Sequence, residues 1–248
     1  MSVPNRLHIL GLPVDVLDRQ GMLKQVRKMV AAGAPKTLAY LNVHVVNSAR
    51  GDAVLKGFLQ GVDLCYADGQ GIVLGARLQG KHLPERMTGA DWIWDLAKLA
   101  ESQGWTLAWV GGEPGVSQAA AETLREKHPK LKLHSEHGFY SPEQTPALLA
   151  RINAAEPDIV LVGMGTPTQE HWTAEHRSAL SAPVVWCLGA TADFVSGKTD
   201  RGPGFLNQNA EWLARLITEP ERLWKRYLLG NPLFIARVLK ERVLSPTR

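Results

Sequence analysis

The sequence predicts an α/β fold, a Rossmann-like, doubly wound and mostly parallel sheet with a C-terminal helical appendage. Three observations predict it. Short apolar runs of strand length alternate with longer segments of helical period, as in successive βαβ units. Several of those runs end in glycine-containing turns that open a helix. The last forty or so residues then change character, mixing basic residues with aliphatic and aromatic ones at helical spacing.

In chain order, Leu7–Leu10 is the first apolar run, and Asp18–Ala32 the first helical pattern. Thr37–Asn42 leads into a helix at Val43–Arg50. Asp63–Tyr66 passes through Ala67-Asp68-Gly69 into a helix at Gln70–Leu78, and a further helix covers Gly89–Gln103. The strand Thr106–Val110 opens a helix at Gly115–Lys127. Lys132–Ser135 precedes a helix at Pro142–Ala154, Asp158–Val162 precedes one at Pro167–Leu180, and Val184–Leu188 is the last strand. A final helix is expected at Asn207–Thr218. No repeat, low-complexity tract or Gly/Ser linker divides the chain. The expected organisation is therefore one catalytic α/β domain over 1–203 and a basic amphipathic helical appendage over 204–248, with the boundary at Gly202-Pro203-Gly204.

Composition bounds the function. With 45% hydrophobic and 21% charged residues the chain is an ordinary globular one, and no stretch approaches the roughly 20 apolar residues of a membrane span. The N-terminus has no basic head followed by an apolar core, and Cys65 and Cys187 fall in apolar strand runs without a CxxC partner. A cytoplasmic enzyme fits. The charge is uneven: from Trp212 onward eight Lys/Arg face three acids, a net of +5 in a chain of +4, which leaves the remainder near −1. Basic, apolar and aromatic residues mixed on helices suit an anionic lipid surface. They suit nucleic acid less well, because the aromatics sit beside long aliphatics, not on a polar platform. The same pattern also fits helices that pack on the main domain or form a subunit contact, so a homo-oligomer stays open.

The most informative stretch is Tyr66-Ala67-Asp68-Gly69-Gln70-Gly71, which places a carboxylate where a buried strand hands over to a helix, the ligand-facing edge of an open α/β sheet. An ordinary helix N-cap is the alternative role for Asp68. Two other turns converge on the same edge. Val110-Gly111-Gly112-Glu113-Pro114-Gly115 offers backbone N–H groups and a helix N-terminus to a phosphate, although it lacks both the GxGxxG and the Lys-Ser/Thr spacing. Val162-Gly163-Met164-Gly165-Thr166-Pro167-Thr168-Gln169-Glu170 leaves Thr166, Thr168 and Gln169 free to bond a polar ligand. Each also reads as a plain strand-to-helix turn. No histidine pair has zinc-site spacing and no Asp-x-Asp occurs, so neither metal nor cofactor is expected. A leaving diphosphate would then be neutralised by Arg, Lys and backbone donors.

These blocks, with Pro84-Glu85-Arg86-Met87-Thr88-Gly89-Ala90-Asp91, Glu211-Trp212-Leu213-Ala214-Arg215-Leu216 and Glu219-Pro220-Glu221-Arg222, resemble the WecG/TagA/CpsF glycosyltransferase family in order over nearly the whole chain. The resemblance implies an inverting, metal-independent transferase. It would move a hexose or N-acetylhexosamine from a UDP-sugar to a polyprenyl-diphosphate-linked saccharide, peripherally at the inner face of the cell membrane, in cell-surface or exopolysaccharide biosynthesis. It implies Asp68 as general base and Asn42, Arg86 and Gln169 as donor-pocket residues, with Gly111, Gly112, Gly163 and Gly165 in the turns around the donor. Asp193 would meet the nucleotide base, and Arg215, Arg222, Lys225 and Arg226 would bring charge to the diphosphate. Tyr40 stands where the family often has Thr, which bears on which sugar fits. The rival readings are a nucleotide-binding oxidoreductase, for which no dinucleotide fingerprint is present, and a non-catalytic membrane-associated scaffold.

Overall fold

A computed structural model describes residues 5–199 and 220–244. The predicted helix Asn207–Thr218, the boundary at Gly202-Pro203-Gly204 and Arg215 lie outside the described residues. The chain opens with a hairpin, β1 (Arg6–Ile9) and β2 (Leu12–Asp15), followed by α1 (Arg19–Ala32), β3 (Lys36–Leu41), α2 (Val43–Ser48), α3 (Ala53–Gly61) and β4 (Leu64–Ala67). Then come α4 (Gln70–Leu78), α5 (Gly89–Gln103), β5 (Thr106–Gly111), α6 (Val116–Lys127) and β6 (Lys132–Glu136). The rest comprises α7 (Thr145–Ala154), β7 (Ile159–Gly163), α8 (Thr168–His176), β8 (Val184–Cys187), α9 (Thr191–Val195), α10 (Pro220–Trp224), a π-helical turn (Lys225–Leu229) and α11 (Gly230–Leu244).

Six strands form one parallel sheet in the order β4-β3-β8-β7-β5-β6. Alternation along each strand sends side chains to opposite faces. Leu107, Trp109, Leu161 and Trp186 join the larger core, whereas Ala108, Val110, Val160, Val162 and Val185 join a smaller one with Leu148, Ile152 and Trp172 of α7 and α8. Burial on both faces is why these strands read as continuous apolar runs. Cys65 and Cys187 are free and buried.

The first predicted strand takes a different place. Leu7 and its neighbours pair antiparallel with β2, a strand the sequence reading did not include, and the hairpin stands apart from the six-stranded sheet. Asp15 anchors it: the buried carboxylate accepts from Arg6 (2.7 Å) and from the Cys65 N–H (2.7 Å). The predicted helix to Leu180 also ends sooner, at His176, followed by a single tight turn over Arg177–Ala179.

At the other end α11 packs on α2 and α4. Phe234 and Val238 are fully buried members of the larger core. Gly75 makes room for them, since a Cβ there would lie 2.7 Å from the Phe234 ring. Asn47 joins the helices through both halves of its amide, donating to the Gly230 carbonyl (2.9 Å) and accepting from Arg237 (2.7 Å).

Candidate active site

The chain runs from β3 outward to β4, then crosses to β5 and β6 before β7 and β8 fill the middle of the sheet. Strand order therefore reverses beside β3 and β8, and ligand crevices open at such a point, beyond the carboxyl ends of the strands. A cavity of about 250 Å³ lies there. Its walls come from the ends of β3 and β4 (Tyr40, Asn42, Tyr66, Asp68), the start of α5 (Thr88, Gly89, Ala90), the turn after β7 (Gly165, Thr166), the turn after β8 with α9 (Leu188 to Thr191, Phe194), His44 of α2, and Arg226.

Asp68 is held at the mouth of β4 by its own backbone, whose N–H donates to the Leu41 carbonyl (2.7 Å). The N-cap position of α4 belongs to Gly69, at φ +88°. Asp68 thus stands one residue ahead of the cap and borders the cavity. Asn42 caps α2, its Oδ1 accepting from the Val45 N–H (2.9 Å). That bond fixes the amide orientation, so Nδ2 donates to Asp68 Oδ2 (2.9 Å).

Tyr40 and Gln169, far apart in sequence, meet behind the cavity. Gln169 Oε1 accepts from the Gly189 N–H (2.9 Å), and its Nε2 donates to the Tyr40 hydroxyl (3.3 Å) and to Glu170 Oε1 (2.7 Å). Thr166 donates to the same Glu170 oxygen (2.9 Å) and lies 3.3 Å from the Tyr40 hydroxyl. Burial, with the Glu170 and Asp68 carboxylates nearby, holds the Tyr40 phenol well above its ordinary pKa. Burial likewise raises the Glu170 carboxyl.

Two cavity residues carried no signal in the sequence reading. His44 has its pKa pushed down to about 4, first by burial and then by Arg226, against a hydrogen bond to the Thr166 backbone. Its imidazole is therefore neutral near neutrality. Thr191 donates to the Leu188 carbonyl (2.7 Å) and fixes the turn after β8. The one local signal for His44 is its place in the first turn of α2, two residues beyond the cap Asn42 and three beyond the end of β3.

The other predicted residues separate. Arg86 lines a neighbouring cavity of about 310 Å³ with Arg19, Glu85 and Asp91, and the two cavities share Ala90 and Phe194 as a common wall. Its guanidinium is 3.7 Å from Asp91, while Glu85 accepts from the Arg19 N–H (2.7 Å). Thr88 occupies the N-cap position of α5 but donates its hydroxyl to Asp91 and accepts no backbone N–H. Asp193 sits on α9 beside the cavity residue Phe194, with Lys198 Nζ 3.9 Å from its carboxylate.

Gly165 borders the cavity. Gly111, Gly112 and Gly163 instead bring the ends of β5 and β7 together: a Cβ on Gly111 would run into the Gly163 backbone, and the Gly112 N–H donates to the Gly163 carbonyl (3.1 Å). Arg226 reaches the cavity, Lys225 is exposed with Nζ 5.5 Å from the Trp224 ring centroid, and Arg222 lies within α10, its side chain outside the described residues. Among the described residues no cluster of three His, Cys, Asp or Glu could hold a metal ion. Also among them, no helix is long and apolar enough to cross a membrane.

Comparison with known families identifies the chain. The sequence model of the Glycosyl transferase WecG/TagA/CpsF family matches residues 7–248, essentially the whole length, and the chain belongs to that family. It is a family of glycosyltransferases acting in cell-surface polymer biosynthesis, in general with a nucleotide-sugar donor and a lipid-linked acceptor. Membership sets aside the oxidoreductase and the non-catalytic scaffold.

Proposed function

From that membership, we propose that the chain transfers a hexose or N-acetylhexosamine from a UDP-sugar to a saccharide carried on a polyprenyl diphosphate, with inversion and without a metal ion. The observation that carries this reading is Asp68: a carboxylate at the cavity wall, oriented by Asn42 over 2.9 Å, with a cationic Arg226 on the same cavity. An acceptor hydroxyl is far too weak an acid to ionise beforehand at neutral pH. Asp68 takes its proton as the oxygen forms a bond to the anomeric carbon, while the bond from that carbon to the diphosphate oxygen breaks and UDP departs with the electron pair. Attack on the face opposite the leaving group inverts the anomeric centre. Arg226, with the other basic residues of the C-terminal segment, is the electrostatic partner of the departing diphosphate; the sequence offers no Asp-x-Asp to hold an ion there.

The same segment suits a peripheral position at the inner face of the cell membrane. Trp224, Leu228, Leu229 and Leu233 are exposed around Lys225 and Arg226, the combination that anionic headgroups attract.

The test is a donor panel. Purified protein is given each of several UDP-sugars and a short-chain prenyl-diphosphate saccharide, with UDP release measured with and without EDTA. Turnover of one donor that survives chelation, and falls roughly 10²–10⁴-fold in Asp68→Asn with the melting temperature preserved, is the expected result. Undiminished turnover by Asp68→Asn would remove the assigned base, and loss of turnover on chelation would remove the metal-free mechanism.

A further inference from the structure

The hydrogens behind the cavity can be assigned one by one. The Gly189 N–H fixes Gln169 Oε1, so both Nε2 hydrogens are committed, one to Glu170 Oε1 and one to the Tyr40 oxygen. Thr166 has a single hydroxyl proton, which goes to Glu170 Oε1. Its oxygen can then only accept from Tyr40, 3.3 Å away. The phenol thus donates backward to Thr166 and accepts from Gln169, and what it has left to offer the cavity is a lone pair. Gly189 makes this placement possible: at φ +64° it has no side chain, and a Cβ there would sit 2.7 Å from the Tyr40 oxygen.

Glu170 sets the direction of the whole chain. It is only 1% exposed, and its Oε2 finds no hydrogen-bond partner among the described residues. Oε1 accepts two hydrogen bonds whether the carboxyl is ionised or carries its proton on Oε2. We infer that Glu170, acting through Thr166 and Gln169, turns the Tyr40 phenol into a hydrogen-bond acceptor that reads one hydroxyl of the sugar bound in the cavity. The inference rests on the glycosyl-transfer reading above. Glu170 and Thr166 are positioning residues, and Tyr40 is the group that discriminates.

A fluorine substituent is the discriminating probe, because it can weakly accept a hydrogen bond but cannot donate one. The best UDP-sugar from the donor panel is compared with its monodeoxy and deoxyfluoro analogues at each ring position, recording KM and kcat separately. In the native protein one position is expected at which both analogues lose about tenfold in kcat/KM, mostly through KM, the effect of one neutral hydrogen bond. Tyr40→Phe should erase that discrimination. Thr166→Val removes the acceptor of the phenol proton, so the proton turns into the cavity and the deoxyfluoro analogue should become the better of the two.

Glu170→Ala should behave as Thr166→Val does, because the Thr166 proton is then free to turn toward Tyr40. Glu170→Gln, whose Oε1 can still accept both bonds, should regain most of the native discrimination. If Glu170→Ala does not fold, Thr166→Val tests the same chain. Native protein that turns over a UDP-sugar but tolerates the fluoro analogue at every position, or a Tyr40→Phe variant that discriminates as before, overturns the inference and leaves the transferase reading standing. Native protein that turns over no sugar nucleotide overturns both.

Discussion

Asn42 and Asp68 are tied through a shared amide: the Asn42 oxygen caps α2 at the Val45 N–H and its nitrogen donates to Asp68 Oδ2, each over 2.9 Å. A side chain that must satisfy a helix end cannot flip, so the helix itself aims the donor at the carboxylate. Asn42→Asp keeps an acceptor for the cap but sets a second carboxylate against the first. Like charges that close raise the pKa of one member of the pair. The acid limb of the pH–rate profile is expected to move upward by on the order of one unit or more, with the melting temperature nearly unchanged. Asn42→Ala should instead lose both, costing about 1 kcal/mol of stability for the cap together with turnover. A pH profile of Asn42→Asp that superimposes on the native one would sever the link.

His44 gives the cavity an intrinsic pH reporter. Its pKa of about 4 lies below that of a free histidine, so between pH 6.5 and 4 an unfolded chain binds a proton that the folded one refuses. Stability is therefore expected to fall as pH drops through that window, with no contribution from His44 above it. Arg226 is a cause of the depression second to burial, so Arg226→Gln should raise the His44 pKa toward its ordinary value in an NMR titration of the imidazole. An unmoved His44 pKa in that variant would place the guanidinium elsewhere.

The seating of the last helix is testable through Phe234, which is fully buried beneath Gly75. Phe234→Ala is expected to cost about 3–5 kcal/mol and to open the C-terminal segment to protease. Gly75→Ala pushes from the other side, with an overpacking cost of about 1–3 kcal/mol. If urea melts of both variants match the native protein, α11 does not rest on that surface in solution.

Membrane attachment makes its own prediction. Cosedimentation with vesicles containing an anionic phospholipid should be clear at low salt, weaken as ionic strength rises, and disappear in Leu228→Glu/Leu229→Glu, since it needs both charge and apolar burial. Equal binding to neutral vesicles would remove the electrostatic part.

How far the sequence could be read follows from the range of each contact. Asp68 was legible because its position depends on a local event, a buried strand passing through Ala67-Asp68-Gly69 into a helix. The parallel strands were legible because burial on both faces makes each a continuous apolar run. Strand β2 was hidden by Pro13, which demotes a strand in any local reading yet is tolerated in a two-stranded hairpin. Helix α3 was hidden by Gly57 and Gly61, although Asp52 caps it with an acceptor for the Leu55 N–H (2.9 Å). The chain from Glu170 to Tyr40 was out of reach, because its partners lie 126 and 129 residues apart and meet only once β3 stands beside β8 and β7. Gly111 and Gly163 show what a local pattern leaves undetermined, since a glycine that admits another backbone, as these two do for each other, has the same sequence pattern as one that admits a ligand.

The π-helical turn over Lys225–Leu229 carries Arg226 near its start and runs directly into the locked helix α11. With α11 pinned by Phe234, whatever precedes the turn points in a direction set by the number of residues wound into it. Each residue of an α-helix sweeps about 100°. Deleting a single leucine from this turn would leave the pinned end in register while rotating Arg226 by about a quarter of a revolution, so the phase of one short coil decides whether the cation it carries meets the cavity.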